Sequence, residues 1–128
     1  MNKISLSDGE WKIMNVLWHS SPKTITAMTN ELRESTGWTR HIIITMLNRL
    51  EAKGAVYYEE GERAKLYFPM VEQTETVLKE TETFLEKVYS GSLGLMLNTM
   101  VEKQGISQEE LSELYAILKK AEEGGKSK

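Results

Sequence analysis

The feature that most constrains this chain is a change of periodicity at Gly54. Ahead of it, three segments place apolar residues at helical spacing: Trp11, Met14, Leu17 and Trp18, then Ile25, Met28 and Leu32, then Ile43, Met46, Leu47 and Leu50. Behind it the period falls to two. Val56-Tyr57-Tyr58 and Lys65-Leu66-Tyr67-Phe68 flank Glu59-Glu60-Gly61-Glu62-Arg63, whose glycine suits a hairpin turn, and Pro69 closes the second run. Three helices and a hairpin in this order predict a winged helix-turn-helix over residues 1–70. The fold class is therefore mostly α with a small β-hairpin.

The helix ends are marked. Ser7-Asp8-Gly9-Glu10 is a capping box, with Leu6 and Trp11 placed as a hydrophobic staple. Ser20-Ser21-Pro22 ends the first helix. The second follows Thr24 or Thr26 as N-cap and stops at Gly37, and the third runs from near Thr39 to about Lys53, where Gly54 stops it.

Residues 71–122 read as a helical domain. One helix covers about Glu72 to Tyr89, Gly91 and Gly105 bound a second, and Ser107-Gln108-Glu109-Glu110 is another capping box opening a third. Residues 123–128 read as a disordered tail. The apolar faces carry Val77, Phe84, Leu85, Val88, Leu93, Leu97, Val101, Leu111, Leu114 and Leu118. Three short helices bury such faces poorly on their own. A second copy would cover them, which predicts a two-fold dimer. Folding back onto the winged helix is the competing arrangement.

Composition narrows the function by exclusion. The chain has no cysteine, which removes disulfides, thiolate metal sites and a cysteine nucleophile. His19 and His41 have no partner at metal-ligand spacing, and no phosphate loop or Ser/His/Asp ordering is present, so neither metal, cofactor nor enzymatic activity is expected. The start of the chain lacks a signal-peptide core and no stretch is long enough to span a bilayer, so a cytoplasmic protein without direct membrane binding is expected. The net charge of −3 hides a split. Residues 1–70 hold 9 Lys and Arg against 8 Asp and Glu, and residues 71–128 hold 7 against 11. A DNA binder needs only a local basic surface, so this balance does not decide the matter.

The solvent face of the third helix points further. Thr39, Arg40, His41, Ile42 and Thr45 stand where a recognition helix reads bases in the major groove. Arg49, with Arg63 and Lys65 of the hairpin, suits phosphate contacts. Arg63, Lys65 and Tyr67 alternate onto one strand face, although a solvated hairpin explains the same charges. Ile42 and Ile44 need a cover, either thymine methyl groups or protein, and Ile44 has the further option of turning into the core.

Together these segments resemble the family of penicillinase and methicillin-resistance repressors, which is grouped with a copper-responsive repressor. The resemblance runs from Ile4 to about Leu118. It rests on Leu6-Ser7-Asp8-Gly9-Glu10-Trp11, Val16-Leu17-Trp18, Gly37-Trp38-Thr39, Leu47-Asn48-Arg49-Leu50, Lys53-Gly54, Phe84-Leu85 and Ser107-Gln108-Glu109-Glu110-Leu111. It implies a homodimer that represses from operators with TACA-like half-sites. It also implies control by a membrane sensor metalloprotease, acting directly or through a downstream protease that cuts the dimerisation domain. The chain lacks the paired Cys-x-Cys tail of the copper branch. The Asn-Phe bond cut in the antibiotic repressors aligns with Thr99-Met100, with Asn98 one place early. His41 and Ile42 stand where family members often carry Lys and Thr, and Ile44 where a basic or polar residue is frequent.

The sequence thus predicts a homodimeric repressor on a pseudo-palindromic operator, possessing no cofactor, with antibiotic-resistance genes as the implied target. The alternative is a protein-interaction module whose winged helix binds a protein through Ile42 and Ile44.

Overall fold

Capping side chains and left-handed glycines set the element boundaries. A computed structural model of the chain describes residues 4–103 and 105–126. It contains α1 (Asp8–His19), α2 (Ile25–Thr36), α3 (Arg40–Lys53), β1 (Val56–Glu60), β2 (Lys65–Pro69), α4 (Gln73–Tyr89), α5 (Leu93–Glu102) and α6 (Gln108–Lys126). This is the predicted order of helices and hairpin.

At α1 the Glu10 amide donates to Ser7 Oγ at 3.2 Å, and the Ser7 amide donates to Glu10 Oε1 at 2.8 Å. Thr24, not Thr26, caps α2, accepting from the Ala27 amide at 3.0 Å. That choice leaves the Thr26 hydroxyl free for another role. Thr39 caps α3 through the Ile42 amide. Gly37 and Gly54 end α2 and α3 at φ 71° and 82°, a region that costs a side-chain-bearing residue about 1–2 kcal/mol. Ser107 and Glu110 form the second capping box, at 3.1 and 3.2 Å.

The chain divides into two compact units between Thr81 and Glu82, inside α4. The sequence predicts a boundary at 70/71, just after Pro69 closes the hairpin. α4 continues from the first unit into the second, so the hairpin's end is not where compactness ends.

In the first unit, α1 packs on α3 and β2, α2 on α3, and α3 on β1. The core is built from Ile13, Met14, Leu17, Met28, Ile43, Leu47, Leu50, Val56 and Tyr67. Ile13 and Val16 are buried where the helical stripe had Trp11 and Trp18, which are only half-buried. Since α1 meets α3 on one side and β2 on another, its buried arc is wider than one stripe. The Trp18 indole instead donates to the Val71 carbonyl at 2.9 Å, tying the segment after β2 to α1.

β1 and β2 pair antiparallel, with Val56 opposite Pro69 and Glu60 opposite Lys65. Lys23, between α1 and α2, bridges to Tyr67: its amide N–H donates to the Tyr67 carbonyl at 3.2 Å, and its carbonyl accepts from the Tyr67 amide at 2.9 Å. That bridge anchors the hairpin beside the start of α2.

Among the described residues of the second unit, none is buried. Phe84 and Tyr89 meet edge to face at 6.0 Å between centroids. The helix α6 runs through Lys126 where the sequence had suggested a disordered tail from 123; residues 127 and 128 of that tail lie outside the described residues. No helix among the described residues is long and apolar enough to cross a membrane.

Candidate nucleic-acid interface

The exposed surface of α3 is two strips at helical spacing. One carries His41 and Thr45, and the Thr45 hydroxyl donates to the His41 carbonyl at 3.0 Å. The other carries Arg40, Ile44 and Asn48 and faces the hairpin across a cleft of about 350 Å³. Ile25 and Thr26 of α2, with Arg63, Ala64, Lys65 and Tyr67 of the hairpin, complete the lining of this cleft.

Two of the cations in the cleft, Arg40 and Lys65, are placed by their neighbours. Arg40 Nη1 donates to Thr26 Oγ1 at 2.9 Å, so its guanidinium turns towards the start of α2. The Lys65 ammonium sits 4.1 Å above the centre of the Tyr58 ring, a cation–π arrangement. Desolvation works to lower its pKa, but hydrogen bonding and charge interaction with Tyr58, with Tyr67 and Glu60 adding to them, raise it above the ordinary lysine value. Lys65 therefore carries full charge at neutral pH. No acidic side chain lines the cleft.

Of the residues expected to read bases, Thr39, Arg40 and His41 are exposed, while Ile42 and Thr45 are half-buried. Arg49, Arg63 and Lys65 are exposed. Arg40, Arg63 and Lys65 come together at the cleft; His41, Ile42, Thr45 and Arg49 lie outside its lining. One expectation is corrected. Tyr67 is 3% exposed and does not share a solvent stripe with Arg63 and Lys65. Its position opposite Tyr58 and its bridge to Lys23 turn it inward, and burial pushes its phenol pKa up. Ile44 does not enter the core; it is half-buried on the cleft wall. Sequence reasoning missed Thr26 and Tyr58, whose partners lie on other elements and leave no periodic signal.

The residues expected to dimerise are arranged as follows. Val77, Phe84, Val88, Leu93, Val101 and Leu118 are exposed, and Leu85, Leu97, Leu111 and Leu114 are half-buried. Thr99 and Met100 lie inside α5, and Met100 lines a small groove with Ile106, Leu114 and Ile117.

A family model described as the penicillinase repressor matches residues 6–120. The chain belongs to the penicillinase repressor family. This family member is 34% identical over 119 residues to the penicillinase repressor of Bacillus licheniformis, covering 92% of this chain and 93% of that protein. It is 30% identical over 115 residues to the methicillin resistance regulatory protein MecI of Staphylococcus aureus (strain N315), covering 90% and 94% respectively. A solution structure of the monomeric form of BlaI from Bacillus licheniformis, in complex with the blaP half-operator, is 33% identical, with a TM-score of 0.51. It covers 59% of this chain and 93% of the solved one. The likeness agrees with the winged-helix architecture.

Proposed function

We propose that this chain is a DNA-binding repressor that works as a homodimer on a pseudo-palindromic operator. The observation that carries the reading is the flank of α3 and the hairpin, where three cations line one cleft free of carboxylates, on a fold shared with a repressor domain solved on its half-operator. In this reading α3 lies in the major groove with Thr39, His41, Ile42 and Thr45 towards the bases, and Arg49, Arg63 and Lys65 meet phosphates.

The exposed apolar faces of α4 to α6 support dimerisation through the second unit, since burying them against a copy removes them from water. Two heads on one frame bind two half-sites with raised effective concentration. The names of the relatives support a resistance gene as the target. Relief would follow a cut at Thr99–Met100 by a membrane sensor metalloprotease or a protease downstream of it, which separates the heads.

The test is a mobility shift with the region upstream of this chain's own gene, over a salt series. A retarded complex whose affinity falls linearly with the logarithm of salt is expected. No shift at low salt overturns the reading and leaves the winged helix as a protein-binding surface. A sensor metalloprotease or β-lactamase gene next door would support the resistance target and proteolytic relief.

A further inference from the structure

Arg40 stands first in α3, a place from which a side chain has two routes: down into the groove towards base edges, or sideways along the helix flank. Its hydrogen bond to Thr26 takes the second route. Thr26 is available for this because Thr24 already caps α2. The guanidinium thereby joins Arg63 and Lys65 around the same cleft.

The cleft suits a particular ligand. A helix seated in the major groove has a sugar-phosphate strand along each flank, so whatever lies between α3 and a hairpin beside it meets that strand. Its cations match phosphodiester charge, and no carboxylate in the lining competes for them. Ile44 gives the wall an apolar patch facing the hairpin, the surface a deoxyribose presents to a protein. Lys65 is held over the Tyr58 ring, 4.1 Å from its centre, at the edge of the cleft, where its charge faces the same space as Arg40 and Arg63. We infer that this cleft seats one strand of the DNA backbone, with Arg40, positioned by Thr26, clamping a phosphate there instead of reading a base. Ile44 then packs on sugar, not on a thymine methyl.

This inference rests on the DNA-binding reading above and is separable from it. Arg40 and Thr26 are both exposed, so Arg40→Gln, Arg40→Lys and Thr26→Val leave the core untouched. Binding is measured to the chain's own upstream duplex and to a scrambled duplex of the same composition, across salt. Arg40→Gln is expected to weaken both by the same factor and to lower the salt slope by about one. Arg40→Lys should keep the slope and lose affinity, because the ammonium cannot hold the forked geometry. Thr26→Val should weaken both duplexes by about two- to tenfold, the worth of one hydrogen bond, with the slope retained. Loss confined to the upstream duplex at an unchanged slope makes Arg40 a base reader and overturns the inference. So does a Thr26→Val protein that binds as the wild type does. A wild-type chain that shifts neither duplex removes the DNA-binding reading itself.

Discussion

The Lys53 ammonium, at the end of α3, donates to the Glu10 carboxylate in the first turn of α1 at 2.5 Å and to the Ser5 carbonyl at 2.6 Å. Glu10 is 1% exposed and is also half of the capping box, so one carboxylate starts α1 and ties it to the far end of α3.

This arrangement makes stability depend on acid. Burial alone would raise the Glu10 pKa; the hydrogen bond from Lys53, with help from Ser7 and the Lys53 charge, outweighs it and holds the group below the ordinary glutamate value. A carboxyl with a depressed folded-state pKa contributes stability that is present above its unfolded value, about 4.3. That stability is lost as pH falls through the depressed folded value. Glu10→Gln should lower stability at pH 7 by about 1–3 kcal/mol and flatten the acid limb of the stability curve. Denaturant melts from pH 7 to 3 test this; equal losses at both ends would detach the effect from Glu10 ionisation.

Gly54 tests the backbone separately from packing. Its φ is 82°, and a Cβ added there would meet nothing within 4 Å. Gly54→Ala should therefore cost about 1–2 kcal/mol through conformation alone. Gly54→Asn should cost less, because a short polar side chain tolerates the left-handed region. If both variants cost the same, the glycine is serving a purpose other than its φ.

These two cases show what was legible in the sequence. Caps and stops are local: Ser7 with Glu10, Gly37, Gly54 and Ser107 with Glu110 act within a few residues, and reading along the chain finds them. The α3 core stripe is equally local: Ile43, Leu47 and Leu50 are buried as expected, and Met46 is half-buried against the core. What escaped joins residues far apart in sequence. Lys53 to Glu10, Lys23 to Tyr67 and Arg40 to Thr26 are set by how elements pack, and periodicity carries no trace of that. The inward turn of Tyr67 has the same origin, since strand alternation gives two faces without saying which one the core takes.

Tyr58 offers a test of the hairpin that leaves every charge in place. Removing its ring frees Lys65 to swing towards Glu60, its cross-strand partner. An exposed cation–π contact is weak but holds the ammonium in place, so Tyr58→Leu should weaken DNA binding by about two- to fivefold, and Tyr58→Phe by less. Fluorescence anisotropy with a labelled duplex resolves such factors. A Tyr58→Phe loss as large as that of Tyr58→Leu would move the effect from the ring face to the hydroxyl.

Leu118 separates a dimer from a chain that stands alone. It is 60% exposed in the single chain, so Leu118→Glu in a monomer should change stability by no more than about 0.5 kcal/mol. In an interface, the same change places a carboxylate where apolar surface was buried, and dissociation should strengthen at least about a hundredfold. Sedimentation equilibrium across a concentration series reads this directly. Identical self-association in the two proteins would exclude Leu118 from the interface.

The Thr99–Met100 bond lies within α5, where Lys103 donates to the Thr99 carbonyl at 3.2 Å and Gly105 to the Met100 carbonyl at 2.8 Å. A protease binds extended backbone, so this helix must open before the bond can be cut, and the cutting rate should follow the population of the open form. Gly94, in the first turn of α5, is a handle on that population. An added Cβ there meets only Ser92 Oγ, at 3.9 Å, and glycine in a helix costs about 0.5–1 kcal/mol relative to alanine. Gly94→Ala should thus slow cutting by about two- to fivefold without altering the bond itself. Thermolysin, which cleaves ahead of apolar residues such as methionine, serves as the probe, with mass spectrometry following the fragment that begins at Met100. An unchanged rate in the Gly94→Ala protein would mean that opening of α5 is not what limits the cut, and that control of this bond lies outside its own helix.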